Sequence, residues 1–310
     1  MKHILLALTV LALAACAPSV PDTAATKPAD KLDEILARGT LVIATDPEYL
    51  PQSRLIRDSR PSDETRCSPT QYTANQFEGF DVDAAREVAR RLGVEPCFVT
   101  PPWSQLVAGK WGDNWDVHVG SVAITFERME NLYFTQPYYA TPTVLLVHED
   151  NTSYMNPEDL SGKRIGICAG CTFEDYLRGT LKIPGQTLQY RISDARPIAF
   201  ESEDPAIRAL SQGDGAVLDA VMTILPKARA AVDAGYPVKL IDEPVLFAYA
   251  SMTADRTSHR DMQRLIREIN RLVLEMHADG TLTELSLLYQ GMDLTKEAAL
   301  YDIGALNQSP

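Results

Sequence analysis

From residue 40 onward the chain alternates short apolar runs rich in strand-forming residues with stretches whose apolar positions recur at helical spacing. Leu41-Val42-Ile43-Ala44 has no polar break, the pattern of a strand buried on both faces. Asp81 to Leu92 sets Val82, Ala85, Val88, Ala89 and Leu92 along one stripe of a helix. Cys97-Phe98-Val99 and Val117-His118-Val119 read as further strands. The alternation restarts at Arg164-Ile165-Gly166-Ile167, followed by a helix from about Thr172 to Leu181. Asp204 to Gln212, closed by Gly213, is another helix, and Ala216 to Val221 another strand. The end is helical over Asp261 to Met276 and, beyond the break at Asp279-Gly280, over Leu282 to Leu288. Strands alternating with helices predict α/β units around parallel strands, and two successive blocks with a helical tail suit a two-lobed molecule. Ligands of such folds sit beyond the carboxyl ends of strands and between domains.

The first residues follow a different pattern. Lys2 and His3 precede an apolar run, Ile4 to Ala15, too short to span a bilayer as a mature helix. It ends in Leu13-Ala14-Ala15-Cys16, small residues directly before a cysteine, which is the form of a lipoprotein signal. Cleavage there leaves an acylated Cys16 at the N-terminus, so the expected location is exported, periplasmic or cell-surface, with the lipid anchor as its one membrane contact. The alternative is an ordinary signal peptide carrying a chance cysteine. Residues 17–31, rich in Ala, Pro and Thr, lack an apolar period and read as a flexible stalk, placed here over residues 17–37. Roughly 280 residues then remain for the body, enough for two ordinary domains. The whole chain's formal charge of −13, from 42 acidic against 29 basic residues, argues against nucleic acid and against an anionic membrane surface.

Of the 5 cysteines, Cys67, Cys97, Cys168 and Cys171 follow Cys16. An even set in an exported chain suggests disulfides, and of the possible pairings Cys67–Cys97 with Cys168–Cys171 is preferred. The alternative is one zinc site built from all of them, which the spacing of Cys67 and Cys97 does not suit.

Candidate chemistry falls at strand ends. In Ser121-Val122-Ala123-Ile124-Thr125-Phe126-Glu127-Arg128, Thr125 is a good N-cap, and Arg128 then stands in the first turn of a short helix. A cation opposes the helix dipole there, which is easier to understand if an anion rests against it, and arginine fits a carboxylate with two hydrogen bonds. Pairing with Glu127 or Glu130 on the surface is the competing account. Cys171-Thr172-Phe173-Glu174-Asp175 reads as a helix start, with Thr172 and Asp175 as an approximate capping box and free N–H groups for an anion. Cys168 and Cys171 at that point also permit a thioredoxin-like redox centre, although the flanks do not match one. Tyr49 and Trp103 follow strands and suit pocket walls or half-buried packing. His118, inside an apolar strand, suits a satisfied core histidine. There is no nucleophile–base spacing, phosphate loop or metal-ligand cluster, so neither catalysis nor a cofactor is expected.

Read together, GTLVIATDPEY, FEGFDVDAAREVARRLG, DVHVGSVAITFER leading into YFTQPYY, LSGKRIGICAG and MHADGTLTELSLLYQG resemble the polar-amino-acid branch of bacterial extracellular solute-binding proteins of ABC importers. The resemblance runs from about Leu32 to Asp293. It implies the α/β, two-lobed periplasmic-binding-protein fold, each lobe a mixed sheet flanked by helices, joined by two hinge strands near Thr141 to Val147 and Val245 to Ser251. Lobe one would be residues 38–142 plus 248–310 and lobe two residues 143–247, closing on the ligand. By position, Arg128 matches the residue that grips the ligand's α-carboxylate. Ser121 and Ala123 match lobe-one hydrogen-bonding positions, and Tyr49 and Trp103 wall the side-chain pocket with Asp46 near its mouth. Cys171 and Thr172 match the lobe-two helix start that meets the carboxylate. The implied partners are a small polar carboxylate or amino-acid-like ligand and the importer's membrane subunits, with a monomer as the default.

Departures from the pattern carry their own expectations. Ala123 stands where a hydroxyl residue is usual, and Cys171 where threonine is common. Ile224 stands where the family places an aspartate for the ligand's ammonium group. A buried ammonium without a counter-charge costs several kcal/mol, so the expected ligand keeps a carboxylate and lacks a free α-amino group unless another acid substitutes. The rival functions are a dehydratase-like enzyme on the same fold, for which no cleft carboxylate stands out in the sequence, a redox protein, and a sensor or partner that feeds no importer.

Overall fold

A computed structural model describes residues 30–306. Cys16 and most of the predicted stalk lie outside the described residues. Along the chain run α1 (Lys31–Arg38), β1 (Thr40–Ala44), β2 (Glu48–Tyr49), β3 (Ser53–Leu55), β4 (Tyr72–Thr73), β5 (Phe77–Glu78) and α2 (Phe80–Leu92). Then follow β6 (Glu95–Val99), α3 (Trp103–Ala108), β7 (Val117–Ala123), α4 (Phe126–Met129), β8 (Leu132–Phe134) and the long β9 (Tyr139–His148). The second half brings β10 (Arg164–Cys168), α5 (Thr172–Leu177), β11 (Arg196–Phe200), α6 (Glu203–Leu210), β12 (Ala220–Ile224) and α7 (Leu225–Asp233). It closes with β13 (Val238–Asp255), α8 (Gln263–Ala278), α9 (Thr281–Gln290) and two short helices.

The end of the predicted stalk is corrected. Asp30 caps α1 by accepting from the Leu32 and Asp33 N–H groups, Gly39 ends it in the left-handed conformation, and Leu32 and Ile35 are buried. Leu32 and Ile35, three residues apart, give the helix a face to bury, and Lys31, only 1% exposed, is held by Asp116 at 3.0 Å. Ion pairing and burial therefore order residues 31–37, which the sequence reading placed in the stalk.

One sheet of ten strands carries the order β11-β10-β12-β9-β13-β7-β1-β6-β4, with β8 also on β13. Its flanks are parallel, β1 pairing with β6 and β7 and β10 with β11 and β12, except at the edge, where β4 runs antiparallel to β6. Its centre is antiparallel, because β9 and β13 run in opposite directions and each takes part in both halves. Their pairing breaks register between Ile241 and Leu246. The chain thus forms two α/β lobes, each a mixed sheet flanked by helices, linked by two strands.

Each lobe buries both faces of its sheet. In the first, Val82, Ala85 and Val88 of α2 and Leu265, Ile269 and Met276 of α8 pack on β1 and β7, while Leu106, Trp111 and Trp115 cover the opposite face. In the second, Phe173 and Tyr176 lie against Ile165 and Ile167, and α6 and α7 close the other side through Ile207, Leu210 and Ala228. Full burial of one such aliphatic or aromatic side chain contributes roughly 2 kcal/mol.

Two predicted elements shift. The helix expected from Thr172 to Leu181 ends at Leu177, because Asp175 O accepts from Thr180 and Leu181, and Gly179 turns with φ 71°. Its N-cap is Cys171, in extended conformation with no side-chain cap bond, so the Thr172–Asp175 capping box does not form. The strand expected at Ala216 begins at Ala220, since Ala216 N–H turns back to Gly213 O and the Asp219 carboxylate is spent on Arg164. Both disulfides follow the preferred pairing, Cys67–Cys97 and Cys168–Cys171, which overturns a zinc site built from all of these cysteines. No described helix is long and apolar enough to cross a membrane.

Candidate functional site

A cavity of about 80 Å³ lies between the lobes, and every residue predicted for the site lines it: Asp46, Tyr49, Trp103, Ser121, Ala123, Arg128, Cys171 and Thr172. Most stand at or just beyond strand ends. Asp46 and Tyr49 follow β1, Ser121 and Ala123 close β7, and Cys171 and Thr172 follow β10.

Arg128 is set by a chain of local choices. Thr125 breaks from β7 and caps α4, its hydroxyl accepting from the Arg128 N–H at 3.1 Å. The side chain then points inward, 9% exposed, with the Trp103 ring 5.4 Å from its guanidinium carbon. Its donors reach two carbonyls at 3.1 Å, Ala123 O in the first lobe and Gly170 O in the second. Among the described residues it makes no ion pair, so surface pairing with Glu127 or Glu130 is excluded. Burial weakens its hold on the proton, bringing the pKa down to about 10 despite Asp175 and Glu127 nearby. Such a cation draws an anion into the cavity. Trp103 Nε1–H also donates to Gly170 O, at 3.2 Å, so one carbonyl of the Cys168–Cys171 loop is gripped from the opposite lobe by two groups.

Ser121 is spoken for. It has φ 60°, in a bulge of β7 where Val119 to Ser121 face a single position of β13. Its hydroxyl donates to Asp81 at 2.8 Å and accepts from Tyr139, while its N–H donates to the Tyr138 hydroxyl. Burial drives the Asp81 carboxyl up to about 7, against the donors Tyr138 and Ser121. Ala123 offers its carbonyl to Arg128 and no hydroxyl to a ligand. His118 is buried, as expected, yet it is not satisfied: among the described residues neither ring nitrogen has a hydrogen-bond partner. Burial and the nearby Arg128 lower its pKa to about 3, so the ring is neutral and packs edge-on against Trp103.

The acid that the sequence hid is Glu203. It opens α6 immediately after β11, and it lines the cavity together with Glu201 and Asp46. The expectation of no outstanding cleft carboxylate is therefore corrected. Glu203 is buried, and the Tyr49 hydroxyl donates to it at 3.3 Å. Desolvation raises its pKa to about 7, against the pull of Lys227, whose ammonium pairs instead with Asp204 at 2.6 Å and lies over the Tyr49 ring. Burial also raises Asp46. Ile224 lines the cavity and brings an apolar side chain to it. The one available signal for Glu203 was its place just past a parallel strand, where sites on such sheets gather. The Cys168 and Cys171 sulfurs and a Glu203 carboxylate oxygen lie within 4.8 Å of one another, a juxtaposition invisible in the sequence because Glu203 is distant along the chain; joined in a disulfide, the sulfurs are not thiolate ligands as they stand. On the strand's other side Glu48 and Leu50 face a separate hollow of about 530 Å³, which contains none of the residues predicted for the site.

Comparison with known families shows which family the chain belongs to. The model of bacterial extracellular solute-binding proteins, family 3, matches residues 63–292. The chain belongs to this family. The L-cystine-binding protein TcyJ of Escherichia coli (strain K12) is 26% identical over 266 residues, covering 86% of this chain and 88% of that protein. ABC transporter arginine-binding protein 1 of the same strain is 26% identical over 215 residues, covering 68% and 81%. Among solved structures, the ancestral amino acid-binding protein AncCDT-1, described as a precursor of cyclohexadienyl dehydratase, superposes with TM-score 0.67 at 24% identity, covering 84% of this chain and all of that one. That likeness shows the fold. A solute-binding role for this family 3 member agrees with a cavity lying between two lobes.

Proposed function

We propose that this family 3 protein captures an amino acid between its lobes by closure and delivers it to an ABC importer, acting as an exported monomer anchored through lipid on Cys16, without a cofactor. The observation that carries this is the bipolar lining of the cavity. Among the described residues, the Arg128 guanidinium meets carbonyls and no carboxylate, and Glu203 is a buried acid that accepts from the Tyr49 phenol and forms no ion pair. A zwitterion answers both. Relatives named for binding cystine and arginine support the class of ligand. Arg128 takes the carboxylate, and Glu203 supplies the counter-charge that Ile224 does not, so the ligand keeps its ammonium group. Tyr49 and Trp103 wall the space for its side chain.

A thermal-shift screen of amino acids and small organic acids, followed by calorimetry, tests this. A stabilising amino acid should bind about 100-fold more weakly to Arg128→Ala, the loss expected when a charge-assisted hydrogen-bonded pair is removed. A ligand whose affinity survives that change, or a preference for acids without an amino group, overturns the assignment. Glu203 also favours a second reading, because a buried carboxyl with a pKa about 7 is what a dehydratase uses as a proton donor. The binding reading requires the ligand to be recovered unchanged after prolonged incubation with the protein.

A further inference from the structure

We propose that, when its Cys168–Cys171 disulfide is reduced, the cavity wall becomes a binding site for a thiophilic divalent cation such as Zn²⁺, held by both cysteine sulfurs and Glu203. The two sulfurs and a Glu203 carboxylate oxygen already lie within 4.8 Å of one another. Donors on a tetrahedral Zn²⁺, with bonds of about 2.3 Å to sulfur and about 2.1 Å to oxygen, stand some 3.5 Å apart, so the carboxylate needs little movement. The sulfurs must part by roughly 2 Å once their bond is broken. Cys171 is the half-buried member and faces the cavity, so it can swing while buried Cys168 and Glu203 hold their places. Three protein donors leave a fourth position open toward the space where a solute sits, as in metal sites that exchange ligands.

The redox step needs an external reductant, a low-molecular-weight dithiol. Its two sulfurs are oxidised to a disulfide, two electrons cleave the Cys168–Cys171 bond, and its two protons pass to the cysteines. Binding of Zn²⁺ then releases those protons to solvent, because only thiolates ligate. Lys227 lies close to Glu203 but is engaged by Asp204, and the Tyr49 hydroxyl donates to Oε1 at 3.3 Å, which leaves Oε2 for the metal. Cys67 and Cys97 offer no such cluster among the described residues. An amino acid whose ammonium group needs Glu203 and a cation that binds the same carboxylate would exclude each other, so the redox state of the wall would select between them.

The full-length chain in detergent, oxidised or reduced with a phosphine, is titrated with Zn²⁺ against a chromophoric chelator, with Co²⁺ as a spectroscopic probe. The expected result is one tight Zn²⁺ in the reduced protein and none in the oxidised, with thiolate-to-cobalt charge transfer. Glu203→Gln should weaken binding about 10–100-fold while keeping that spectrum, and Cys168→Ser should remove both. Equal binding in the oxidised protein, or an affinity unchanged by Glu203→Gln, overturns the proposal. If Cys168→Ser does not fold, wild-type protein decides by alkylation. Zn²⁺ must shield Cys168 and Cys171 from iodoacetamide and leave Cys67 and Cys97 unaffected, and equal labelling with and without Zn²⁺ refutes the site.

Discussion

At the scale of the residue, the site is an exercise in unpaired charge. Arg128 could be read from the sequence because a cation in the first turn of a helix is a local anomaly, visible from Thr125 alone. Glu203 could not, since an acid at the start of a helix is the commonest of placements. Its place in the cavity wall beside Tyr49 makes it a buried acid. Its pKa of about 7 has a consequence for binding. The groups facing it are Tyr49, Asp46, Lys227 with Asp204, and the Cys168–Cys171 sulfurs. A ligand ammonium requires the ionised carboxylate, so below pH 7 binding must first expel a proton. Affinity for an amino acid should therefore fall about tenfold per pH unit below 7 and level off above it. Calorimetry across pH 5–8 should show that slope in the wild type, together with proton release, and a flat, weaker profile in Glu203→Gln. A wild-type profile without slope would mean that Glu203 does not meet the ligand's cation.

At the scale of the element, strands and long helices were legible where one physical rule dominates. The stripe of α2 and the unbroken apolar run of β1 leave no alternative to burial. Local competition defeated the prediction elsewhere: the carbonyl of Asp175 draws Thr180 and Leu181 out of α5, and the ion pair of Lys31 draws α1 out of the stalk. The bulge of β7 is another such place, since nothing in the residue types announces that Ser121 adopts φ 60°. Replacing Ser121 by glycine relieves about 1 kcal/mol of backbone strain but removes the hydroxyl that donates to Asp81, a bond to a charged group worth roughly 2 kcal/mol. The variant should be less stable by about 1 kcal/mol in urea unfolding at pH 8, where Asp81 is ionised. Asp81 itself adds a pH dependence of known sign. Its folded pKa, about 7, lies above the ordinary carboxyl value, so the stability it contributes is complete below pH 4 and is lost as the pH rises through 7. Urea unfolding from pH 4 to 8 should show a shallower decline in Asp81→Asn than in the wild type. Identical slopes would show that the carboxyl is ionised throughout the range.

At the scale of the whole molecule, two lobes share one sheet, and the two disulfides do different work in it. The repeat of the α/β pattern made the lobes legible, whereas the spatial order of the strands depends on β9 and β13 meeting across the chain, which no local pattern records. Cys67–Cys97 closes a sequence separation of 30 and ties the long segment before β4 to β6, near the sheet edge. Cys168–Cys171 closes a separation of 3. A cross-link stabilises chiefly by restricting the unfolded chain, so the first is worth about 4 kcal/mol and the second about 2 kcal/mol. Serine at both Cys67 and Cys97 should therefore lower the urea midpoint about twice as far as serine at both Cys168 and Cys171. Ligand affinity should follow the opposite order, because the short ring frames Gly170, whose carbonyl is gripped by Arg128 and Trp103 across the lobes, while Cys67 and Cys97 lie outside the cavity. Measuring both quantities on both variants separates the roles. If the two properties fall together in each variant, the short ring acts only as one more staple of the second lobe. A crossing of the two orders would assign global stability to the long link and the geometry of closure to the short one.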